Sequence, residues 1–305
     1  MDAERELKVM GTTAHVLVVA ATDAAARAAV ERAHDRLRAL EARWSRFVPT
    51  SDVSVLNAAG GRPVIVAAET RALVKRAVAG WRKTNGRFDP TVLDALVALG
   101  YDRDFDTIDR AAPAPGSTIP APGCAGIVVD GLIGAVQMPA GVHFDPGGIG
   151  KGLAADLVVE ELMATGVDGA CVNVGGDLRV EGRAPGGGGW VIDLEHPITG
   201  ESIVHLSLRS GGVASTWRTR RVWGPPDAAR HHLVDPATGA SAASGLAGVA
   251  VVTGRTWWAE VLAKAAFLDG PRAGIARLDE HGAAGFLIDD DGRVHTAGAA
   301  EAYAA

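Results

Sequence analysis

Cysteine is scarce in this chain, with 2 in 305 residues, and Cys124 and Cys171 stand far apart without metal-ligand spacing. That excludes a disulfide framework and a thiolate metal site, and leaves both as small core hydrophobes. A basic excess is missing as well. Lys plus Arg number 30 against 36 Asp plus Glu, a formal charge of −6 with the signs interspersed. No broad cationic face is on offer, so a nucleic-acid partner is not expected, although a local cluster still suits a small anion. No stretch is long and apolar enough to cross a bilayer. Met1-Asp2-Ala3-Glu4-Arg5-Glu6 is charged where a signal peptide carries its apolar core. We therefore expect a cytoplasmic protein with no membrane segment. Neither a solenoid-length repeat nor a heptad run is evident. What the chain does have is 48% hydrophobic residues, enough for a substantial core in one large domain or two smaller ones.

The densest chemistry lies between His143 and Asp156, where His-Phe-Asp-Pro-Gly-Gly-Ile-Gly-Lys-Gly-Leu-Ala-Ala-Asp passes from an extended segment through a glycine bend into an apolar periodic run. Its glycines permit close ligand approach, and Lys151 sets an ammonium at the start of a helix, where exposed N–H groups also favour an anion. The spacing departs from both common nucleotide signatures. Asp145 stands where a P-loop needs glycine, and Leu153 stands where a dinucleotide fingerprint needs its third glycine.

Along the rest of the chain, Thr12 to Ala21 predicts a strand, and Val30, Ala33, Leu37, Leu40 and Trp44 recur at helical spacing. Ser45 to Asn57 reads as an irregular connector before a short strand at Val64 to Ala67. A helix opens at Glu69, with Leu73, Val74, Ala77, Val78 and Trp81 on one face, and stops at Asn85-Gly86. Asp89 is placed to cap a helix with Pro90 in its first turn. Ala111 to Gly123 is too proline-rich for regular structure, and an irregular excursion is expected over about 110–126. Strands are expected at Ile127 to Asp130 and Ala135 to Met138, and a helix with the stripe Ala154, Val158, Leu162 follows the glycine bend. Ala170 to Gly176 then runs into a second glycine corner at Asp177. Short strands at Leu178 to Glu181, Trp190 to Leu194 and Ile203 to Leu208, with turns between them, argue for antiparallel pairing and an α+β fold. Arg218, Arg220 and Arg221 lie close together, either as charge for a phosphate or as a solvated edge. A strand at Val249 to Val252, a helix from Thr256 through Leu268 and a strand near Phe286 to Ile288 complete the pattern.

Taken in order, these stretches resemble the ApbE family of FAD:protein FMN transferases, from Met10 to about Gly270. The carrying motifs are Met10-Gly11-Thr12; Trp44-Ser45-Arg46-Phe47 with Ser51 and Leu56-Asn57; Gly86-x-Phe88-Asp89-Pro90-Thr91 with Gly100-Tyr101; Asp145 to Asp156; Asn173-x-Gly175-Gly176-Asp177; and His232-x-x-Asp235-Pro236-x-x-Gly239. The resemblance implies a single domain over 1–305 with mainly antiparallel sheets flanked by helices, a T-fold-like architecture. It also implies transfer of the FMN half of FAD to a Ser or Thr hydroxyl of an acceptor protein, with release of AMP and Mg²⁺ assistance. FAD contacts would fall to Met10, Trp44, Phe88, Asp89, Asp145, Lys151 and Leu233, and His232 would handle a proton or a phosphate. Residue by residue, blander roles stand beside these: Trp44 as a core residue, Asp145 as a helix cap, His232 as a support for the Asp-Pro turn.

One motif departs from the family. Its metal site takes Asp and Thr from Ala-Asp-x-x-x-Thr plus a backbone carbonyl at the place of Gly148, whereas this chain has Ala259-Glu260-Val261-Leu262-Ala263-Lys264. Glu260 keeps a carboxylate. Lys264 brings an ammonium that cannot ligate a cation. Either Lys264 takes the cation's part, held by Glu260 at i, i+4, or the chain binds FAD without transferring it. Hydrolysis of FAD to FMN and AMP is a further enzymatic reading, and a surface Glu-Lys pair of no consequence is the plain one.

Overall fold

The computed structural model describes residues 1–111 and 117–303. Part of the expected excursion therefore lies outside the described residues, and its described remainder up to Ile127 carries no helix or strand. The helices are α1 (Asp23–Trp44), α2 (Asp52–Asn57), α3 (Ala68–Lys83), α4 (Leu93–Ala98), α5 (Gly150–Ala164) and α6 (Thr256–Glu280). The chain falls into two compact units: Met1–Ala39 with Lys151–Trp217 and Gly245–Ala305, and Leu40–Gly150 with Arg218–Ser244.

The first unit is built on an eight-stranded sheet. Its order is Asp2–Val9, Thr12–Val19, Gly169–Val174, Asp177–Gly182, Ser210–Trp217, Leu246–Thr253, Ala284–Asp289 and Val294–Ala297. Every neighbouring pair runs antiparallel, as the α+β reading requires. A separate hairpin, Trp190–Glu195 with Ser202–Leu208, packs Trp190, Leu194, Leu206 and Leu208 onto Leu178, Val180, Val213, Ala250, Val252 and Phe286. Helix α6 packs on the strands Ser210–Trp217, Leu246–Thr253 and Ala284–Asp289. Between these covers the Leu246–Thr253 strand is buried from Leu246 to Val252, which is why its sequence is continuously apolar. Helix α6 breaks at Gly270 (φ 80°), followed by Pro271, so its first arm ends near the expected Leu268.

The sequence reading missed the strands Asp2–Val9, Ser210–Trp217 and Val294–Ala297 of the large sheet and the short pair Val222–Trp223 and Arg230–His231, and two of these show why. Asp2–Val9 is a strand although it reads as a charged start, because only Leu7 and Val9 are buried and the rest of this edge strand is open. Ser210–Trp217 is central to the sheet, yet Gly211-Gly212 masks it. A Cβ on Gly212 would stand 2.4 Å from the backbone nitrogen of Thr256, so the close approach of α6 demands glycine inside the strand.

The starts of α5 and α6 cap each other. Asp156, in α5, accepts from the backbone N–H of Thr256 (3.0 Å) and Trp257 (2.9 Å). Glu260, in α6, accepts from the backbone N–H of Gly152 (2.9 Å) through Oε2. Each carboxylate thus satisfies orphan donors and meets the positive end of the other helix. Burial pushes the Asp156 carboxyl above its usual range, and those two N–H bonds, then Arg179, pull against the shift.

In the second unit α3 ends at the predicted left-handed stop, with Asn85 at φ 53° and Gly86 at φ 78°. The connector Ser45 to Asn57 is less irregular than expected, since α2 forms there with the Ser51 side chain accepting from the Ser54 N–H. Asp89 does not cap α4, whose N-cap is Val92; Oδ1 of Asp89 instead accepts from the N–H (2.8 Å) and hydroxyl (2.6 Å) of Thr91. Val64–Ile65, Ala135–Gln137 and Val128–Asp130 form a three-stranded sheet. A small core joins Leu96, Leu99, Tyr101, Trp223 and Val234.

A Cβ at Gly152 would lie 2.8 Å from the carbonyl oxygen of Thr256 and 3.0 Å from Glu260 Oε2. Gly152→Ala gains helix propensity worth about 1 kcal/mol, but overpacking of a backbone contact costs roughly 1–3 kcal/mol. We expect a net loss of stability in denaturant unfolding. An unchanged or raised midpoint would show that α5 and α6 are not joined this tightly.

Candidate active site

In the first unit, two glycine turns flank neighbouring strands. Met10-Gly11 closes the first hairpin with φ 55° and 64°, both in the left-handed region that a two-residue turn of this twist needs. Gly175-Gly176 closes the hairpin after Gly169–Val174, with φ 64° and 97°. A Cβ on Gly175 would meet Thr12 Oγ1 at 2.5 Å, so these two turns sit against each other.

Beside them is a cluster of four charged side chains. Lys151 donates to Asp177 Oδ2 and, at 3.2 Å, to Glu260 Oε1. Lys264 donates to the same Glu260 oxygen at 3.2 Å, one helical turn along α6. The carboxylates of Asp177 and Glu260 are 0% exposed, while the lysine side chains keep 20% and 17% exposure. Burial and the neighbouring Glu260 charge push the Asp177 carboxyl up to about 6. Burial acts the same way on Glu260, but Lys151, Lys264 and the Gly152 N–H outweigh it and hold that group below its usual range. The cluster is therefore carried by an ionised Glu260.

The second unit holds the remaining expected residues. Trp44 is buried, its indole N–H donating to Thr70 Oγ1 at 3.2 Å, and Thr70 in turn donates to Asp52. Phe88 is buried as well. Asp89 is 7% exposed, and burial pushes its carboxyl upward against the bonds from Thr91. Asp145 does serve as a cap, but of the short turn Pro146–Gly148: it accepts from Gly147 N–H at 2.6 Å, and Arg46 Nε lies 3.6 Å from its other oxygen. The Arg46 guanidinium also lies over the rings of Phe47 (4.4 Å) and Tyr101 (4.5 Å). Gly148 ends that turn.

The two adjacent histidines differ in kind. His231 is buried, with Nε2 on the carbonyl of Ala242 (3.0 Å) and Nδ1 accepting from Leu233 N–H (3.3 Å). That pairing needs the neutral ring with its proton on Nε2. Burial pushes its pKa down to about 4. His232 is half-buried and takes its place through its own N–H on Arg221 O at 3.3 Å; Leu233 is buried beside it. Arg221 donates to the Tyr101 hydroxyl at 2.8 Å.

A sequence model of the ApbE family matches residues 10–288. The chain belongs to the ApbE family. A curated relative from Treponema pallidum, named FAD:protein FMN transferase, is 31% identical over 312 residues, covering 94% of this chain and 84% of its own length. One of the same name from Haemophilus influenzae is 25% identical, covering 92% and 84%. The crystal structure of the ApbE protein of Thermotoga maritima superposes with a TM-score of 0.88 at 24% identity over the full length of both chains. That of the apo flavinyl transferase ApbE of Pseudomonas stutzeri gives 0.84 at 24% identity, covering 99% and 96%. These likenesses place the fold of this ApbE-family chain among theirs.

The residues at Glu260 do not fit the divalent cation that the family resemblance implies. Both carboxylate oxygens already take protein donors, and two of those are ammoniums. A divalent ion about 4 Å from one ammonium is repelled by on the order of 8 kcal/mol at an effective dielectric of ~20. Among the described residues no group of three or more His, Cys, Asp or Glu is arranged to hold a metal. Cys124 is buried, and burial raises both thiols, Cys171 to about 12. No helix among the described residues is long and apolar enough to cross a membrane.

Lys151→Met strands Asp177 without its cation, a change expected to cost about 3–5 kcal/mol in unfolding free energy, and adding Asp177→Asn should recover part of it. Additive losses in the double variant would count against the pairing. His231 carries a second expectation. Its folded pKa lies below the unfolded 6.5, so the unfolded chain binds the extra proton. Its contribution is complete above pH 6.5 and is lost as pH falls towards about 4. Unfolding midpoints should drop over that window in the parent, and less steeply in His231→Gln.

Proposed function

We propose that this chain is an FAD:protein FMN transferase, and the observation that carries the reading is its 31% identity, along 94% of its length, to a relative of that name. The acceptor is a protein bearing a Ser or Thr hydroxyl. Its oxygen attacks the phosphorus on the FMN side of the FAD pyrophosphate, the P–O bond to the AMP half breaks, AMP leaves, and the hydroxyl proton passes to His232. The contrast between the two histidines supports this role. His231 is committed to a neutral structural pairing, whereas His232 is held by its backbone and is not fully buried.

For FAD itself we assign Met10, Trp44, Phe88, Asp89, Asp145, Lys151 and Leu233, with Lys264 for the pyrophosphate. Met10 sits in a turn whose positive φ is strained for any residue but glycine, a cost of about 1–3 kcal/mol that is met at ligand-binding positions. Of the positions where the resemblance puts a metal, Glu260 is taken up by Lys151, Lys264 and the Gly152 N–H, and Gly148 ends a short turn.

The test is incubation of the purified protein with FAD and a candidate acceptor, followed by intact mass and AMP release. The acceptor should gain one FMN for each AMP released. His232→Ala should lower that rate by about 10²–10⁴-fold while FAD remains bound. AMP without an adduct would replace transfer by hydrolysis, and bound, unchanged FAD would make the chain a flavin-binding protein.

A further inference from the structure

The four-charge cluster has an inside and an outside. Asp177 and Glu260 form the inside, both 0% exposed, while the stems and ammoniums of Lys151 and Lys264 reach the accessible side at 20% and 17%. Two positive and two negative charges cancel and alternate along Asp177, Lys151, Glu260 and Lys264, but only the lysine side chains are accessible, so an approaching anion meets the lysines first. Lys264 donates to Glu260 Oε1 and makes no other hydrogen bond among the described residues. An ammonium has three N–H donors, so two remain for a ligand. Glu260 is fixed in turn by the Gly152 N–H on its second oxygen, which stops the carboxylate from rotating towards a different partner. Such an arrangement suits an anion with several oxygens on neighbouring phosphorus atoms, and it repels a free cation.

We propose that Lys264, with Lys151 beside it, holds the FAD pyrophosphate in place of a divalent cation, Asp177 and Glu260 being the buried frame that fixes both ammoniums. The inference rests on the reading of this chain as an FAD:protein FMN transferase. It deepens that reading by making the protein's hold on FAD independent of metal. Negative charge that gathers on the departing AMP phosphate is met by donors that are already in place, with no ion to recruit.

Binding and turnover are measured separately on the intact protein. FAD affinity, followed by flavin fluorescence, should be the same in EDTA and in excess Mg²⁺. Calorimetry with Mg²⁺ alone should show no binding. Lys264→Met should weaken FAD by roughly 10–100-fold, the worth of one charge-assisted bond to phosphate. Lys264→Arg, which keeps the charge, should lose much less. The double change Glu260→Asp, Lys264→Thr should make affinity rise with Mg²⁺, with unfolding midpoints reported for each variant. FAD affinity that rises with Mg²⁺ in the parent, or Lys264→Met binding FAD as tightly as the parent, would overturn the proposal. AMP release and adduct mass in the same samples judge the transferase reading: metal-free binding without either product leaves the ammonium site standing and removes the transferase. Absence of FAD binding in both media removes both. Should Lys264→Met fail to fold, the comparison of EDTA with Mg²⁺ on the parent decides alone.

Discussion

The structure depends on a carboxylate that water never reaches. Glu260 is fully buried and ionised, and a lone charge in that position is untenable without partners. Its three donors come from three places in the chain: the backbone of Gly152, the side chain of Lys151 and the side chain of Lys264. Satisfying it draws the start of α5 against α6, fixes the glycine at 152, and determines which way two lysines point. Asp156 completes the exchange by serving the first N–H groups of α6. Packing and electrostatics are here one constraint, since neither carboxylate is tolerable unless the two helix starts touch.

From that junction the chemistry of the first unit follows. The glycine-rich bend that looks like a free-standing phosphate loop has its lysine already engaged with Asp177 and Glu260. Lys151 therefore belongs to a cluster of four charged side chains and not to an isolated loop. Arg46 plays a comparable part in the second unit, where its guanidinium lies over two aromatic rings and next to the Asp145 carboxylate. In both units a cation is immobilised by groups that are themselves capped or stacked.

Much of this was legible in the sequence, for reasons that can be named. Periodicity marked α1 and α3, because each buries one stripe. The Asn85-Gly86 stop was visible because only a few residue types accept its backbone angles. The i, i+4 relation of Glu260 and Lys264 followed from helix geometry alone. What stayed hidden depended on partners distant in sequence. Gly211-Gly212 looked unlike a strand because the reason for Gly212, the backbone of Thr256, lies some forty residues on. Asp177 and Asp156 stood at the ends of motifs already singled out, but nothing local shows that one takes Lys151 and the other caps α6. Asp89 next to Pro90 has the local pattern of a helix cap, yet its oxygen closes a tighter turn on Thr91.

The histidine pair carries one more consequence. Arg230–His231 forms a short ribbon with Val222–Trp223, in which His231 lies opposite Val222. The strand ends there, and His232 lies in the bend that follows, where its own N–H donates to the carbonyl of Arg221. The ribbon and the bend after it thus hold two like side chains in unlike settings: His231 is buried with both ring nitrogens paired, whereas His232 is half-buried. The short connection from Gly224 to Ala229 sets how these two strands meet, and with it which of the two histidines lies inside the ribbon.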